Sequence, residues 1–178
     1  MQVDVRPLAR NDDRGTFSCG DAALDRYFHH YAGQNQFKFH LSVTYVALHE
    51  TRIVGFATVS SAALVRDDVP DGTWRGRLPA YPLPVVRLAR LGVDREAQGR
   101  GLGLALTRFV LRLAVQQRDS IGCFGVVTDA KVGVTGFYAG LGFIPLANVR
   151  EGRVHGLPTP MFLDMATIVA ALGNSASV

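Results

Sequence analysis

The chain has 178 residues, 48% of them apolar and 19% charged, with 19 glycines and 8 prolines. That length and apolar share suit one domain with a real core and exclude wholesale disorder. Cys19 and Cys123 are too few, and too far apart, for a disulfide scaffold or a CxxC metal site. Basic residues outnumber acidic ones 19 to 15, a formal charge of +4, which is too mild to establish nucleic-acid binding by itself. Of those 19, all but Lys38 and Lys131 are arginine, whose planar fork suits phosphate and carboxylate. No apolar stretch reaches the roughly 18 residues of a membrane helix, and the start, MQVDVRPLAR, lacks the layout of a secretion signal. The expectation is a reduced, cytoplasmic protein whose two thiols are small buried apolar side chains.

In chain order, residues 2–8 alternate apolar and polar before Pro7 and predict a short strand. Asp21 is placed to cap a helix on which Leu24, Tyr27, Phe28 and Tyr31 fall at i, i+3, i+4 and i+7, an apolar face. The β-rich runs 41–49 and 53–61, separated by Glu50-Thr51-Arg52, predict an antiparallel hairpin. Residues 66–84, rich in Asp and Pro with Trp74 between Asp71 and Arg77, predict a long loop of the kind that carries function. A strand follows over 85–94, then a glycine loop over 98–103, then a strong helix over 104–118 with Arg108, Arg112 and Gln116 as its wet stripe. A buried strand is expected over 121–129, a helix over 132–142 capped by Gly142, late strands in 143–149 and 157–165, and a last helix over 166–172. The order is a mixed α/β sheet with helices on its faces, in one domain spanning 1–178 with a frayed tail.

Gly99, Gly101 and Gly103 alternate between a strand and a helix, where phosphates are held: small residues admit the backbone, and helix-start N–H groups lack internal partners. Arg100 adds charge there and Gln98 an amide. A Walker loop would need Lys and Ser or Thr where Leu102-Gly103-Leu104 stand. A dinucleotide fingerprint would need G-x-G-x-x-G at the first strand of a βαβ unit, whereas G-x-G-x-G stands here in mid-chain. Coenzyme A is the third phosphate ligand. QGRGLG after a strand ending in Gly92-Val93-Asp94, with Gln98, Gly101 and Gly103 at the matching positions, resembles the acyl-CoA loop of the GNAT acetyltransferase superfamily.

That resemblance extends to Phe137-Tyr138-Ala139-Gly140-Leu141-Gly142-Phe143, similar to the superfamily's FYxxxGF element. It implies the GNAT fold: a mixed, mostly antiparallel sheet splayed between two parallel strands, helices on both faces, and pantetheine lying between strands 85–93 and 121–128. It further implies that Tyr138 protonates the departing thiolate of CoA, a role matched by a phenol's pKa of about 10, and that Phe137 packs inward. Acetyl-CoA would then be contacted by Leu91, Gly92, Val93, Gln98, Gly99, Arg100, Gly101, Leu102, Gly103 and Phe137. An asparagine common near the start of this helix in the superfamily is missing here, with Lys131 near its place. Asp94 and Glu96 are the nearby carboxylates, neither forced by spacing to be a base, and no His/Cys/Asp/Glu cluster has metal spacing.

Phe17, Cys19, Gly20, Leu24, Asp25 and Tyr27, followed by TYVAL (44–48), IVGFATVSS (53–61) and RLARLGVDREAQGRGLG (87–103), resemble the GNAT toxins of type II toxin–antitoxin pairs. Those enzymes acetylate the amino group of aminoacyl-tRNA, work as dimers and are silenced by a small ribbon-helix-helix antitoxin. The resemblance implies tRNA contacts at Trp74, Arg75, Arg77, Arg87 and Arg90, phosphate contacts being a requirement of any tRNA ligand. The alternatives are a GNAT enzyme acting on a small amine or a protein N-terminus, and a non-catalytic acyl-CoA-binding module.

Overall fold

In the computed structural model, which describes residues 1–70, 75–146 and 157–173, seven strands lie in the order β1-β2-β3-β4-β5-β7-β6. They are β1 (Asp4–Pro7), β2 (Val43–His49), β3 (Arg52–Leu64), β4 (Leu83–Val93), β5 (Gly125–Ala130), β6 (Ile144–Pro145) and β7 (Thr159–Asp164). The helices are α1 (Ala22–Arg26), α2 (Ala32–Phe37), α3 (Leu102–Ser120), α4 (Thr135–Gly140) and α5 (Met165–Gly173). The sheet is mostly antiparallel with one parallel pair and helices around it, as the resemblance implies. The chain divides into two compact units, one of residues 1–60 and 88–110, the other of residues 61–87 and 111–178.

In the first unit, β1 pairs with β2 and β2 with β3, both antiparallel. The predicted hairpin is present, its turn closed by Glu50 at φ 56°. Asp21 caps α1 through the N–H groups of Ala23 and Leu24, as its position predicts. The helix does not continue regularly, because Tyr27–Tyr31 form a π-helical turn before α2. A π turn holds one residue more per hydrogen-bonded loop than an α turn, and shifts the phase of everything after it. Phe28 and Ala32 are the fully buried positions, while Tyr31, predicted on the apolar face, is 41% exposed. Phe28 stacks on Phe56 at 4.3 Å with the rings nearly parallel, and Phe17 meets both edge-on. With Leu8, Ala32, Val46 and Ile53 they form this unit's core.

In the second unit, β7 pairs antiparallel with both β5 and β6. Leu64, Val69, Leu83, Val85, Val127 and Phe162 make its core, with Phe124 stacked on Phe162 at 5.4 Å. The predicted strand 121–129 starts only at Gly125, because α3 runs to Ser120 and its cap consumes the next residues. The N–H groups of Ile121 and Gly122 both close on the Gln117 carbonyl, with Gly122 at φ 94°, the left-handed stop that glycine permits. The predicted helix 132–142 contracts to α4. Gly133 sits at φ 85° and Val134 offers no side-chain cap, so the helix cannot begin earlier. Gly142 (φ 93°) ends it as predicted, its N–H bonding to the Ala139 carbonyl. Asp164 caps α5 through the N–H and hydroxyl of Thr167. Arg108, Arg112 and Gln116 are exposed on α3, the predicted wet stripe. No helix among the described residues is long and apolar enough to cross a membrane.

Candidate active site

The glycine loop belongs to the first unit. Gly99 and Gly101 hold φ of 72° and 79°, and a Cβ built on either would meet no atom within 4 Å. Glycine is therefore required by the backbone and not by crowding, and the space over both residues is open. Gly101 accepts the first α3 bond, from the N–H of Ala105, so the N–H groups of Leu102, Gly103 and Leu104 lie ahead of the intrahelical ladder. An open cradle with outward amides and the exposed Arg100 beside it fits a diphosphate. The Leu102 side chain is buried and lies where a Cβ on Gly55 would meet it at 3.2 Å, so it packs and only its amide is available to a ligand. A Gly101→Ala variant is expected to lose about 1–2 kcal/mol by forcing an L-residue into left-handed backbone. Acetyl-CoA should then raise its melting temperature less than it raises the wild type's.

Three contacts hold this loop to the segment Phe17–Gly20. The Arg95 N–H bonds to the Ser18 carbonyl at 2.9 Å, the Ser18 N–H to Asp94 Oδ2 at 3.2 Å, and Gln98 Nε2 to the Cys19 carbonyl at 2.9 Å. Gln98 Nε2 also donates to the Val93 carbonyl. Its amide thus braces the loop. Asp25 receives the Ser18 hydroxyl and the Cys19 N–H, and Gly20 (φ 88°) turns where a Cβ would strike Arg95 Nε at 2.7 Å. The spacing of Phe17, Cys19, Gly20 and Asp25 is explained by these contacts: one core ring, one tight turn and one carboxylate that ties the turn to α1. Burial and the adjacent Asp25 push the Cys19 thiol up to about 11, so it is protonated and a poor nucleophile at neutral pH.

Asp94 is 2% exposed and engaged on three sides, by Ser18, by the Glu96 N–H and by Arg52. Arg52 also bonds Glu96. Asp94 is thereby committed to structure, whereas Glu96, its side chain 75% exposed, makes only a surface pair with Arg52. On β4, a Cβ on Gly92 would meet the Phe56 ring at 2.6 Å, so the glycine leaves room for a core ring. Leu91 and Val93 flank it, half-buried.

Tyr138 belongs to the second unit, on α4. It is 6% exposed, and its ring packs edge-on against Phe137 at 5.1 Å and Phe143 at 5.4 Å. Its hydroxyl bonds the side chain of Thr128 on β5, a residue that nothing in the sequence singled out; only its alternation with the buried Val127 on a strand flags it. Burial raises the phenol above its ordinary pKa, and the Thr128 bond draws it back down. Phe137, expected to pack inward, is 36% exposed instead. A six-residue helix that buries Tyr138 turns the preceding residue outward.

The residues expected to meet tRNA fall in both units, Arg75, Arg77 and Arg87 in the second and Arg90 in the first. Arg75 donates to the Asp67 carbonyl, and Arg77 ends the same 3-10 turn, exposed. Arg87 pairs with Asp129 at 2.7 Å, both about half exposed; such a pair is worth roughly 0.2–1 kcal/mol. Arg87→Gln is accordingly expected to shift the melting temperature by less than about 4 °C. Arg90 lies over the Tyr27 ring in the first unit, 5.1 Å from its centroid. Trp74 lies outside the described residues.

The sequence matches the acetyltransferase (GNAT) family over residues 9–143. It is 38% identical over 125 residues to a tRNA-acetylating toxin of Mycobacterium tuberculosis (strain ATCC 25618 / H37Rv), spanning 70% of this chain and 74% of that one. Among solved structures it is similar to AtaT complexed with acetyl-methionyl-tRNAfMet, with a TM-score of 0.83 at 23% identity over 96% of this chain and 99% of the other. It is likewise similar to AtaTR bound with AcCoA, with a TM-score of 0.77 at 24% identity over 96% and 98%. With its glycine cradle and its FY element both in place, the chain belongs to the acetyltransferase (GNAT) family.

Proposed function

We propose that this acetyltransferase transfers the acetyl group of acetyl-CoA to the amino group of aminoacyl-tRNA. The observation that carries the acceptor is the 38% identity to a tRNA-acetylating toxin across 70% of the chain. Acetyl-CoA supplies an acyl group on a thiol leaving group. The amides of Leu102, Gly103 and Leu104, with Arg100, hold its diphosphate. The backbone of Leu91, Gly92 and Val93 bonds the pantetheine amides, and an amide there polarises the thioester carbonyl. The neutral amine attacks that carbonyl carbon directly, the carbon–sulfur bond breaks, and the electron pair leaves on sulfur. Tyr138 delivers its phenolic proton to that sulfur and recovers one from the ammonium formed at the acceptor, through solvent, so protons balance. Cys19, held protonated, takes no part, and no covalent enzyme intermediate forms.

In the same reading the enzyme is a cytoplasmic homodimer, silenced by a ribbon-helix-helix antitoxin, with Phe137 exposed to the acyl carrier and Trp74, Arg75, Arg77, Arg87 and Arg90 supplying tRNA contacts. Release of free thiol from acetyl-CoA, followed with charged tRNA, uncharged tRNA and simple amines, tests it. Thiol release with charged tRNA alone, accompanied by an acetyl mass on the aminoacyl-adenosine, is the expected result. Release with simple amines or a peptide N-terminus, and none with charged tRNA, moves the acceptor elsewhere. Binding of acetyl-CoA without release from any acceptor makes the protein a sensor.

A further inference from the structure

The segment Phe17–Gly20 is gripped from two sides. From the helix side, Asp25 of α1 takes the Ser18 hydroxyl at 2.9 Å and the Cys19 N–H at 2.8 Å. His29 Nε2 lies 2.8 Å from the Phe17 carbonyl, an acceptor, so that nitrogen carries the ring's proton. Asp25 and His29 stand four residues apart, so one side of α1 and the π turn after it presents both. From the loop side, Asp94 takes the Ser18 N–H, while the Arg95 N–H closes on the Ser18 carbonyl and Gln98 Nε2 on the Cys19 carbonyl. Every polar group of Ser18, and both main-chain groups of Cys19, are thereby engaged. Although burial alone would raise it, the bonds from Cys19, Ser18 and Gly20 hold the Asp25 carboxyl below its ordinary range.

Packing alone does not require this. Phe17 already anchors the segment, its ring buried edge-on against Phe28 and Phe56. A polar strut bonded along both flanks does what a core ring cannot. It fixes the distance and orientation of the two elements it joins, because hydrogen bonds weaken steeply away from their preferred geometry. On the far flank stand the 3-10 turn Arg95–Ala97 and Gln98, which lead directly into Gly99 and Gly101. Those glycines have left-handed φ and no atom within 4 Å of a would-be Cβ, so no side-chain packing of theirs holds the cradle in shape. That shape depends on Arg95 and Gln98, and their placement depends on the strut.

We infer that Asp25 and His29 are positioning residues for the acyl donor: acting through Phe17–Cys19, they hold the cradle at 98–103 in the geometry a diphosphate needs. Both act at a remove, without a contact to the donor. This rests on the reading of that loop as the diphosphate site, for which Gly101→Ala is the control. Calorimetric titration of the folded protein with acetyl-CoA tests it, with no dependence on the acceptor. Asp25→Ala and His29→Ala are each expected to weaken acetyl-CoA binding about tenfold, because small displacements of a binding group are costly. Rescue should follow hydrogen-bonding capacity. Asp25→Asn still accepts the Cys19 N–H and can donate to the Ser18 hydroxyl, which accepts as well as donates, so its affinity should stay within about threefold of wild type. His29→Gln keeps an amide N–H for the Phe17 carbonyl and should do the same. Leu8→Ala, a buried position of the same core, should lower the melting temperature and leave affinity unchanged, which separates positioning from stability. Wild-type affinity in both alanine variants would overturn the inference. So would an equal loss in Leu8→Ala, or losses in Asp25→Asn and His29→Gln as large as in the alanines. A loss in Gly101→Ala alone keeps the diphosphate reading and removes Asp25 and His29 from it. Normal binding by Gly101→Ala makes that reading fall, and this inference with it.

Discussion

Replacement of Tyr138 by phenylalanine is expected to lower turnover by about a hundredfold or more, within the range that a positioned general acid contributes, while acetyl-CoA affinity is nearly kept. Phenylalanine preserves the edge-on packing against Phe137 and Phe143. Only the hydroxyl bond to Thr128 disappears, a stability loss of roughly 1 kcal/mol. A fall in turnover far larger than any fall in stability therefore reports proton delivery and not misfolding. The pH dependence carries a second sign. An acid works only while protonated, so activity is lost as pH rises through the phenol's pKa. Burial holds that pKa above the ordinary 10, which places the alkaline limb beyond the neutral range. Thr128→Val removes the bond that lowers the phenol's pKa and should move the limb further up, a shift that a merely structural threonine would not produce. Stopped-time thiol release across alkaline pH measures both. Unchanged turnover in Tyr138→Phe would remove the phenol from the mechanism.

The parts of this site legible in the sequence are those fixed by backbone necessity. The spacing marks Gly99 and Gly101, and each holds a left-handed φ with open space above it. Gly142 reads as a helix stop and is one. What escaped is what depends on partners distant in sequence. Gln98 reads as a free amide until the fold brings the Cys19 carbonyl to it, 79 residues away. Arg87 reads as an unpaired cation until β5 sets Asp129 beside it. Tyr31 falls on the apolar stripe by any regular helical count, and only the π turn, with Phe28 locked against Phe56 and His29 Nε2 against the Phe17 carbonyl at 2.8 Å, puts it in solvent. Gly92 reads as a donor contact on its strand, and the Phe56 ring that a Cβ there would strike lies outside any window of sequence.

Asp94→Ala is the substitution with the largest expected effect on stability. The carboxylate sits where β4 ends and a 3-10 turn, Arg95–Ala97, leads into Gln98, and it caps that turn through the Glu96 N–H at 3.1 Å. Its other oxygen takes the Ser18 N–H, and Arg52 closes on it from the exposed side. Alanine leaves two part-buried main-chain donors without their acceptor, and each such donor costs about 1–3 kcal/mol. A total of roughly 2–4 kcal/mol corresponds to a fall in melting temperature on the order of 5–15 °C for a chain of this size. Asparagine keeps one acceptor oxygen and is a good cap, so Asp94→Asn should lose about half as much. The two variants separate capping from charge, since the pair with Arg52 is lost in both. The same change reaches the donor site: with the turn released, the contacts of Arg95 and Gln98 to Ser18 and Cys19 no longer fix the cradle, and acetyl-CoA should stabilise Asp94→Ala less than it stabilises wild type. Thermal melts with and without acetyl-CoA decide the matter. An alanine variant melting within about 2 °C of wild type, with an undiminished acetyl-CoA shift, would show that Asp94 holds neither the turn nor the loop it feeds.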